Sequence, residues 1–392
     1  MINFWKKEGE KKFNNKRIGT AITVGIVLIV VIVISIIYIN NNEARDWIDK
    51  EIFRKEVLKD NAITIETKDT SNSNIYAFNK YIGILDKNNL KIYSNTGKKE
   101  KELEIQISNP IFNSSNRFLA IAENKGKNLY LLEDNEIAWK TEIEGSIAQI
   151  DVNRNGYVAV VIVDTSYKTV IDMYNPKGER LFKTYLSSTR IADVSISNDN
   201  KYLGIAEIDT SGIKVQSNIK ILSIDDVSRK SGETIKKTYS SEKGKLIVSI
   251  KYQSQNSLIC MYTDSIHIIQ NDEDKVLVDN SNKKVMFQTI DLENNIASIE
   301  EKSTGIFTAD TTVNIINTDN NVGKEYNTKS VTKEIYAHKN IIALNLGTEI
   351  EFINTDGWLV KRYKANQEIT NVAVSNNIAA IIYRDKIEIV NL

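Results

Sequence analysis

A short motif recurs eight times along most of this 392-residue chain. It consists of a turn residue, any residue, two apolar residues, a small residue and a further apolar residue. The clearest copies are NRFLAIAE at residues 116–123 and NKYLGIAE at residues 200–207. The small residues are Gly83, Ala120, Ala159, Gly204, Cys260, Ser298, Ala343 and Ala380. Their spacing ranges from 37 residues (Gly83 to Ala120) to 56 residues (Gly204 to Cys260).

A period near 40 residues, made of strand-like segments and Asn-rich turns, predicts an all-β fold, the β-propeller, in which each blade is a four-stranded antiparallel sheet. We interpret the motif as the second strand of each blade. Neighbouring blades would cover both faces of this strand, so a small residue lets the sheets approach while its apolar neighbours fill the core. Eight copies predict eight blades; a seven-bladed ring and a pair of β-sandwiches are the alternatives.

A second motif falls in phase with the first, at the turn expected between the third and fourth strands. Three copies end in glycine, namely Gly97, Gly178 and Gly357, and an Asn precedes each of them by two or three residues. Asn closes such turns through its own side chain, and Gly accepts a positive φ. The agreement in phase supports the propeller.

The eighth copy is too short for a full blade, because the chain after Ala380 has room for the rest of the second strand and a third strand but not for a fourth. Residues 62–66 (AITIE) alternate apolar and polar side chains and precede the first full blade. We expect them to supply the missing outer strand, which would remove an exposed sheet edge. The propeller is therefore predicted to span residues 61–392.

The N-terminal region carries an uncharged stretch from Ile18 to Ile39, 22 residues long. As a helix it would measure about 33 Å, enough to cross a bilayer. Residues 1–17 hold six basic and two acidic side chains, which predicts a cytoplasmic N-terminus. We therefore expect a basic cytoplasmic tail (1–17), a single-pass transmembrane helix (18–39), a connecting helix or linker (40–60) and a propeller outside the cell. A cleaved signal peptide is the alternative, but no small-x-small cleavage site follows the apolar run.

The charge balance and the scarcity of Cys and His exclude several function classes. Lys plus Arg and Asp plus Glu both total 51, so no global positive field predicts a nucleic-acid partner. Cys260 has no second cysteine to pair with, and His267 and His338 are the two histidines, which does not fit the ligand spacings of zinc sites. No G-x-S-x-G, H-E-x-x-H or phosphate-binding Gly loop occurs. We predict no enzyme activity, no cofactor and no metal.

Three loops between predicted second and third strands are extended: residues 163–170, 208–219 and 300–313. In propellers these loops share a face with the loops between blades, and that face commonly binds partners. An insertion without function is the alternative reading. The candidate binding residues are Asp164, Thr165, Ser166, Asp209, Thr210, Ser211, Glu300, Glu301, Ser303 and Thr304.

With its repeat length and its Asn/Asp-x-x-Gly turns, the region from about residue 75 to 392 resembles the quinoprotein-like and WD-repeat-like propellers. The chain also resembles a group of uncharacterised single-pass membrane proteins of clostridia and related low-GC Gram-positive bacteria. These resemblances imply a fold and a membrane anchor, and no activity. The recurrent Trp of quinoprotein alcohol dehydrogenases is found near the Gly turns only at Trp139 and Trp358, so quinone chemistry is not implied.

Together these features predict a non-enzymatic module, tethered to the cell membrane, that binds or scaffolds an envelope protein or polymer through the face with the three long loops. The alternative is an enzyme whose site lies in the central channel and is built from carboxylates of several blades. Three or more acidic groups converging on the channel axis would favour that alternative.

Overall fold

The computed structural model of the protein describes most of the residues of the chain. They form two compact units, Met1–Lys55 and Glu56–Leu392. The described residues are 15–41, 44, 48, 56–57, 62–66, 70, 73–163, 165–186, 189–229, 234–254, 257–303 and 309–392.

The first unit contains the helix α1 (Asn15–Asn40). A helix is thus present over the stretch where the sequence predicts a membrane span at residues 18–39. Among the described residues, however, no helix has the combined length and hydropathy that a membrane span needs. The described helices therefore do not support the predicted transmembrane span.

The second unit is an all-β, eight-bladed propeller, as the sequence predicts. The chain enters it through β1 (Glu56–Val57) and β2 (Ile63–Glu66). Blade 1 consists of β3 (Ser73–Phe78), β4 (Tyr81–Asp86), β5 (Asn89–Ser94) and β6 (Lys99–Glu104), and blade 2 of β7 (Pro110–Ser115), β8 (Phe118–Glu123), β9 (Asn128–Glu133) and β10 (Glu136–Glu142). Blade 3 consists of β11 (Ser146–Val152), β12 (Val158–Val163), β13 (Thr169–Tyr174) and β14 (Arg180–Leu186), and blade 4 of β15 (Arg190–Ile196), β16 (Tyr202–Asp209), β17 (Gln216–Ser223) and β18 (Ile235–Ser240).

The remaining blades follow the same antiparallel order, and the last has three strands of its own. Blade 5 consists of β19 (Ile247–Ser254), β20 (Ser257–Tyr262), β21 (Ser265–Gln270) and β22 (Glu273–Asp279), and blade 6 of β23 (Val285–Thr289), β24 (Asn295–Ser303), β25 (Ala309–Asn317) and β26 (Gly323–Thr328). Blade 7 consists of β27 (Glu334–His338), β28 (Ile341–Asn345), β29 (Glu349–Asn354) and β30 (Leu359–Lys364), and blade 8 of β31 (Asn371–Ser375), β32 (Ile378–Ile382) and β33 (Lys386–Asn391).

Every copy of the recurring motif forms the second strand of its blade, which confirms that interpretation. The small residue is required where blades approach closely. At Gly204, a Cβ atom would lie 3.1 Å from Leu258 Cδ2 and 3.3 Å from Tyr252, both in the next blade. Cys260 fills the equivalent position in blade 5 and is fully buried, as expected of a small apolar side chain.

The core is divided among the blade interfaces. Each cluster of buried apolar side chains in the described residues joins two successive blades. The cluster that closes the ring packs Ile378 and Ala380 of blade 8 with Ile82 and Ile84 of blade 1. The sheets therefore form a complete circle.

The outermost strand of blade 8 comes from the start of the unit. β2 pairs antiparallel with β33, with Ile63 opposite Ile389 and Glu66 opposite Lys386. The sequence places the closing strand at residues 62–66, and the structure has β2 there. This pairing covers an edge that would otherwise expose unpaired backbone groups.

Two elements differ from the sequence expectation. Within the segment predicted as a connecting helix (40–60), β1 is a strand that pairs parallel with β30, because the outer edge of a blade offers free backbone donors and acceptors. Blade 4 contains a short helix, α2 (Ile224–Arg229), between its third and fourth strands. The Ser223 hydroxyl caps it by accepting a hydrogen bond from Asp226 N at 3.3 Å.

The turns between third and fourth strands follow the second motif. Gly97, Gly178 and Gly357 adopt φ values of 73°, 79° and 76°, where a side chain would be strained. Asn354 Oδ1 accepts hydrogen bonds from Asp356 N (3.1 Å) and Trp358 N (3.0 Å). The predicted roles of Gly and Asn in these turns are confirmed.

Candidate functional site

The loops between second and third strands lie beside the loops between blades, and together they form what we call the upper face. In blade 4, Gly244 N donates to Val215 O at 2.8 Å, and Ser217 Oγ donates to Lys245 O at 3.1 Å. In blade 6, Thr311 Oγ1 donates to Ser330 O at 2.8 Å. These contacts tie the long-loop segments of blades 4 and 6 to the loops between blades.

Two of the ten predicted binding residues, Asp164 and Thr304, lie outside the described residues. Ser303 is the last residue of β24, and its side chain also lies outside the described set. The other seven, from Thr165 to Glu301, are on the upper face or on the strands leading to it. The loops of blades 3 and 4 are adjacent, whereas blade 5 separates both from the loop of blade 6.

The described candidates make contacts mostly within their own loops and strands. Thr165 Oγ1 accepts a hydrogen bond from Tyr167 N at 3.1 Å. Asp209 Oδ1 accepts one from Ser211 N at 2.8 Å, and the bonds from Ser211 lower the pKa of Asp209 below its ordinary value. Glu300 accepts a hydrogen bond from Asn314 at 3.1 Å. These polar groups therefore shape the loops and do not converge on one point.

Apolar side chains form the feature of this face that the sequence reasoning missed. We define the upper patch as the exposed residues Tyr167, Tyr185, Ile213, Leu246 and Val248 of blades 3 to 5. The rings of Tyr167 and Tyr185 are 4.6 Å apart at an angle of 44°. The sequence signal was an apolar residue followed by Lys at the tip of a polar loop, as in Ile213-Lys214.

The loops around the upper patch are basic, although the whole chain is neutral. Residues 163–168, 187–190, 208–216 and 241–246 hold five cations and three carboxylates, a surplus of two positive charges. The cations are Lys168, Arg190, Lys214, Lys243 and Lys245, and the carboxylates are Asp164, Asp209 and Glu242.

The first strands of the blades surround a central channel with a volume of about 660 Å³. Its wall is apolar on one side, where Ile75, Ala77 and Ala373 come from blades 1 and 8. Blades 3 to 7 contribute charged and polar groups to the other side. The channel is thus asymmetric in chemistry.

Three aspartates from different blades line this polar side: Asp151, Asp193 and Asp291. Burial raises the pKa of Asp151 to about 7, with a further contribution from the neighbouring Asp193. Burial also raises the pKa of Asp193. The surroundings of Asp291 oppose its ionisation, but the Lys251 ammonium at 2.7 Å holds its pKa below the ordinary value.

Two of these aspartates serve the scaffold directly. Asp151 Oδ2 accepts a hydrogen bond from Ile196 N at 2.9 Å, and Asp193 Oδ2 accepts one from Ile250 N at 2.8 Å. Asn113 accepts the equivalent bond from Val152 N at 3.1 Å. In each case the acceptor on one innermost strand satisfies a backbone donor on the next, where the channel edge would otherwise leave it unpaired.

The other ionisable groups on this wall are Lys251, which pairs with Asp291, and His338. Burial, with Lys251 and Lys339 nearby, lowers the pKa of His338 to about 4, so this imidazole is neutral at pH 7. Among the described residues, no three His, Cys, Asp or Glu side chains are arranged to hold a metal ion. Sequence reasoning missed this cluster because its members are far apart along the chain.

The fold is similar to that of solved propellers. BamB from Moraxella catarrhalis matches with a TM-score of 0.50 and 11% identity, over 84% of this chain and 100% of BamB. NirN, described as a dihydro-heme d1 dehydrogenase in complex with DHE, matches with a TM-score of 0.52 and 10% identity, over 90% of this chain and 82% of NirN. At such identities the similarity shows the fold alone, and that fold is a β-propeller.

No match to the chain is found among curated protein sequences. A family match, in contrast, covers the whole propeller unit, from residue 55 to residue 392. The chain therefore belongs to DUF5711, a protein family of unknown function.

Proposed function

We propose that the protein is a membrane-anchored β-propeller outside the cell that binds or scaffolds an envelope protein or polymer through its upper face, without catalysis. The observation that carries this proposal is the uneven distribution of exposed apolar side chains. A large exposed apolar patch on a soluble surface marks an interaction site.

Twelve large apolar side chains are exposed among the described propeller residues, and eight of them belong to the upper face or to the adjoining ends of strands. These eight are Phe112, Tyr167, Tyr185, Ile213, Leu246, Val248, Met286 and Val331. The other four are Ile235, Val276, Val322 and Trp358.

The anchor and the location are supported by the sequence of the first unit. The Val, Ile and Leu side chains between Val24 and Ile39 are exposed all around α1. A helix that is apolar on every side requires an apolar environment. We expect deletion of residues 1–39 to release the protein from the membrane fraction, and retention of the deleted form there would contradict the anchor.

Site-specific photocrosslinking in cells tests the binding face. We would place the photoreactive residue at Tyr185 or Ile213 and, as the control, at Trp358 on the opposite face, which is 41% exposed against 51% for Tyr185. A discrete adduct from the upper sites alone is expected. Identical adducts from Trp358, or none from either upper site, would overturn the proposal.

The second candidate function is an enzyme in the central channel, and the three aspartates on its wall favour it. Against it, Asp193 accepts bonds from Gln149, Ser249, Val194 and Ile250, so both of its oxygens are occupied. We therefore prefer the binding role. Asp291→Asn should leave upper-face crosslinking unchanged, whereas loss of a turnover activity in that variant would favour the enzyme.

A further inference from the structure

We infer that the upper patch docks an acidic protein segment that also presents apolar side chains. This inference rests on the proposed function and names the class of partner for the same face. It follows from the composition, the charge and the rigidity of the patch.

The composition of the patch matches the centre of a protein–protein interface. Aromatic side chains and Arg are enriched at such centres, while Lys, Ser, Asp and Glu are depleted there and more frequent on the polar rim. The packed pair Tyr167 and Tyr185 offers two exposed rings side by side, and Arg190 starts the adjacent strand β15. Ile213 stands fully exposed at the tip of the next loop.

These side chains lie close enough to act together. Lys168, which follows Tyr167, is near enough to lower the pKa of Asp209 in blade 4. Arg190 lies opposite Ile208 in the sheet, one residue before Asp209. The loop that bears Ile213 thus begins beside both the tyrosine pair and the arginine.

The positive charge around the patch predicts a partner segment of negative charge. Within the described part of the chain, Arg190, Lys214 and Lys243 have no carboxylate within 4.0 Å, and all three are exposed. Glu242, the nearest acidic residue in sequence to Lys243, is 4.0 Å from Lys245 instead. Unmatched cations around an apolar centre favour carboxylates on the partner, through electrostatic complementarity.

The patch is largely preformed, which lowers the entropic cost of binding. Tyr185 belongs to β14 and Val248 to β19, so ordered strands hold both. The base of the Ile213 loop is fixed by the hydrogen bond from Gly244 N to Val215 O. An anionic polymer or lipid surface would satisfy the cations, but it has no need of a fixed aromatic pair beside an arginine.

Fluorescence anisotropy with synthetic peptides and the purified full chain tests the inference. The probe alternates Asp or Glu with Leu and Phe; one matched peptide replaces the acids by Lys, and a second replaces Leu and Phe by Ser. We expect binding of the acidic–apolar probe alone. The double variant R190E/K214E should weaken it by about tenfold or more, and Y185S should weaken it by about tenfold.

Trp358→Ser is the matched control, because Trp358 is exposed on the opposite face, and it should bind the probe as the wild type does. Binding of the Lys peptide by R190E/K214E, but not by the wild type, would further support the inference. Equal binding of the Ser peptide, insensitivity to the upper-patch variants, or binding only to phosphatidylglycerol vesicles or to polyglutamate would overturn it. If upper-face crosslinks persist in cells while the acidic–apolar probe fails, the proposed function survives and this inference does not.

Discussion

The carboxyl of Asp151 allows the channel architecture to be tested through pH. Its pKa is raised from an ordinary value of 3.8 to about 7 by burial against the next blade. Between these values the folded protein binds one proton more than the unfolded chain does. The contribution of Asp151 to the free energy of unfolding must therefore fall as pH rises from about 4 to about 7.

The size of the effect follows from the shift. A difference of about three pKa units corresponds to about 4 kcal/mol at about 1.4 kcal/mol per unit. Water in the channel screens the charge and reduces this value, so we expect about 1–4 kcal/mol. Asp151→Asn removes the ionisation but keeps an oxygen that can accept the bond from Ile196 N. The variant should therefore be more stable than the wild type at pH 8 by this amount, and about equally stable at pH 4.

The assay is urea unfolding of the full chain in detergent, followed by tryptophan fluorescence at several pH values. Asp193→Asn is the informative comparison, because Asp193 accepts four hydrogen bonds and an amide nitrogen cannot replace an accepting oxygen. It should destabilise the protein by about 1–3 kcal/mol at pH 4, and by less as pH rises, because burial raises the pKa of Asp193 as well. If the free energies of unfolding of Asp151→Asn and of the wild type change in parallel from pH 4 to pH 8, ionisation of Asp151 does not lower stability. The reasoning would then be wrong.

Three further predictions concern the ring. Gly204→Leu should lower the free energy of unfolding by about 1–3 kcal/mol, because its Cβ would crowd Leu258 of the next blade; an unchanged melting temperature would refute the close approach. Tyr363→Phe removes the hydroxyl that donates to the buried Glu388 and should cost about 1–3 kcal/mol by thermal unfolding, whereas Tyr185→Phe on the surface should change it by less than about 0.5 kcal/mol. A chain that starts at residue 67 should aggregate, because the edge of β33 is exposed, while a chain that starts at residue 55 should remain monodisperse in size-exclusion chromatography; equal behaviour would show that β2 is dispensable.

The sequence predicts the ring well because each blade repeats one local pattern. The motif around Gly204 and the alternating residues 62–66 need no knowledge of the rest of the chain. The short helix α2 was missed, because six residues are too few to show helical periodicity, although Ser223 and Asp226 give a capping signal.

The candidate sites are harder to predict, because they depend on neighbours across the ring. Asp151, Asp193 and Lys251 are more than 40 residues apart from one another, and only the closed circle brings them to one wall. The candidate binding residues on the long loops are all polar, whereas Tyr167 and Ile213 can be recognised as exposed only when their place on a solvent-facing edge is known.

The pairing of β2 with β33 has a consequence for how the chain is made. Ile63 meets Ile389, which is synthesised 326 residues later, so this contact has one of the largest sequence separations in the protein. Contacts of such separation slow folding. Until the C-terminal residues emerge, the growing polypeptide is an incomplete ring whose two end blades each expose an apolar face. We expect nascent chains at this stage to depend most on chaperones.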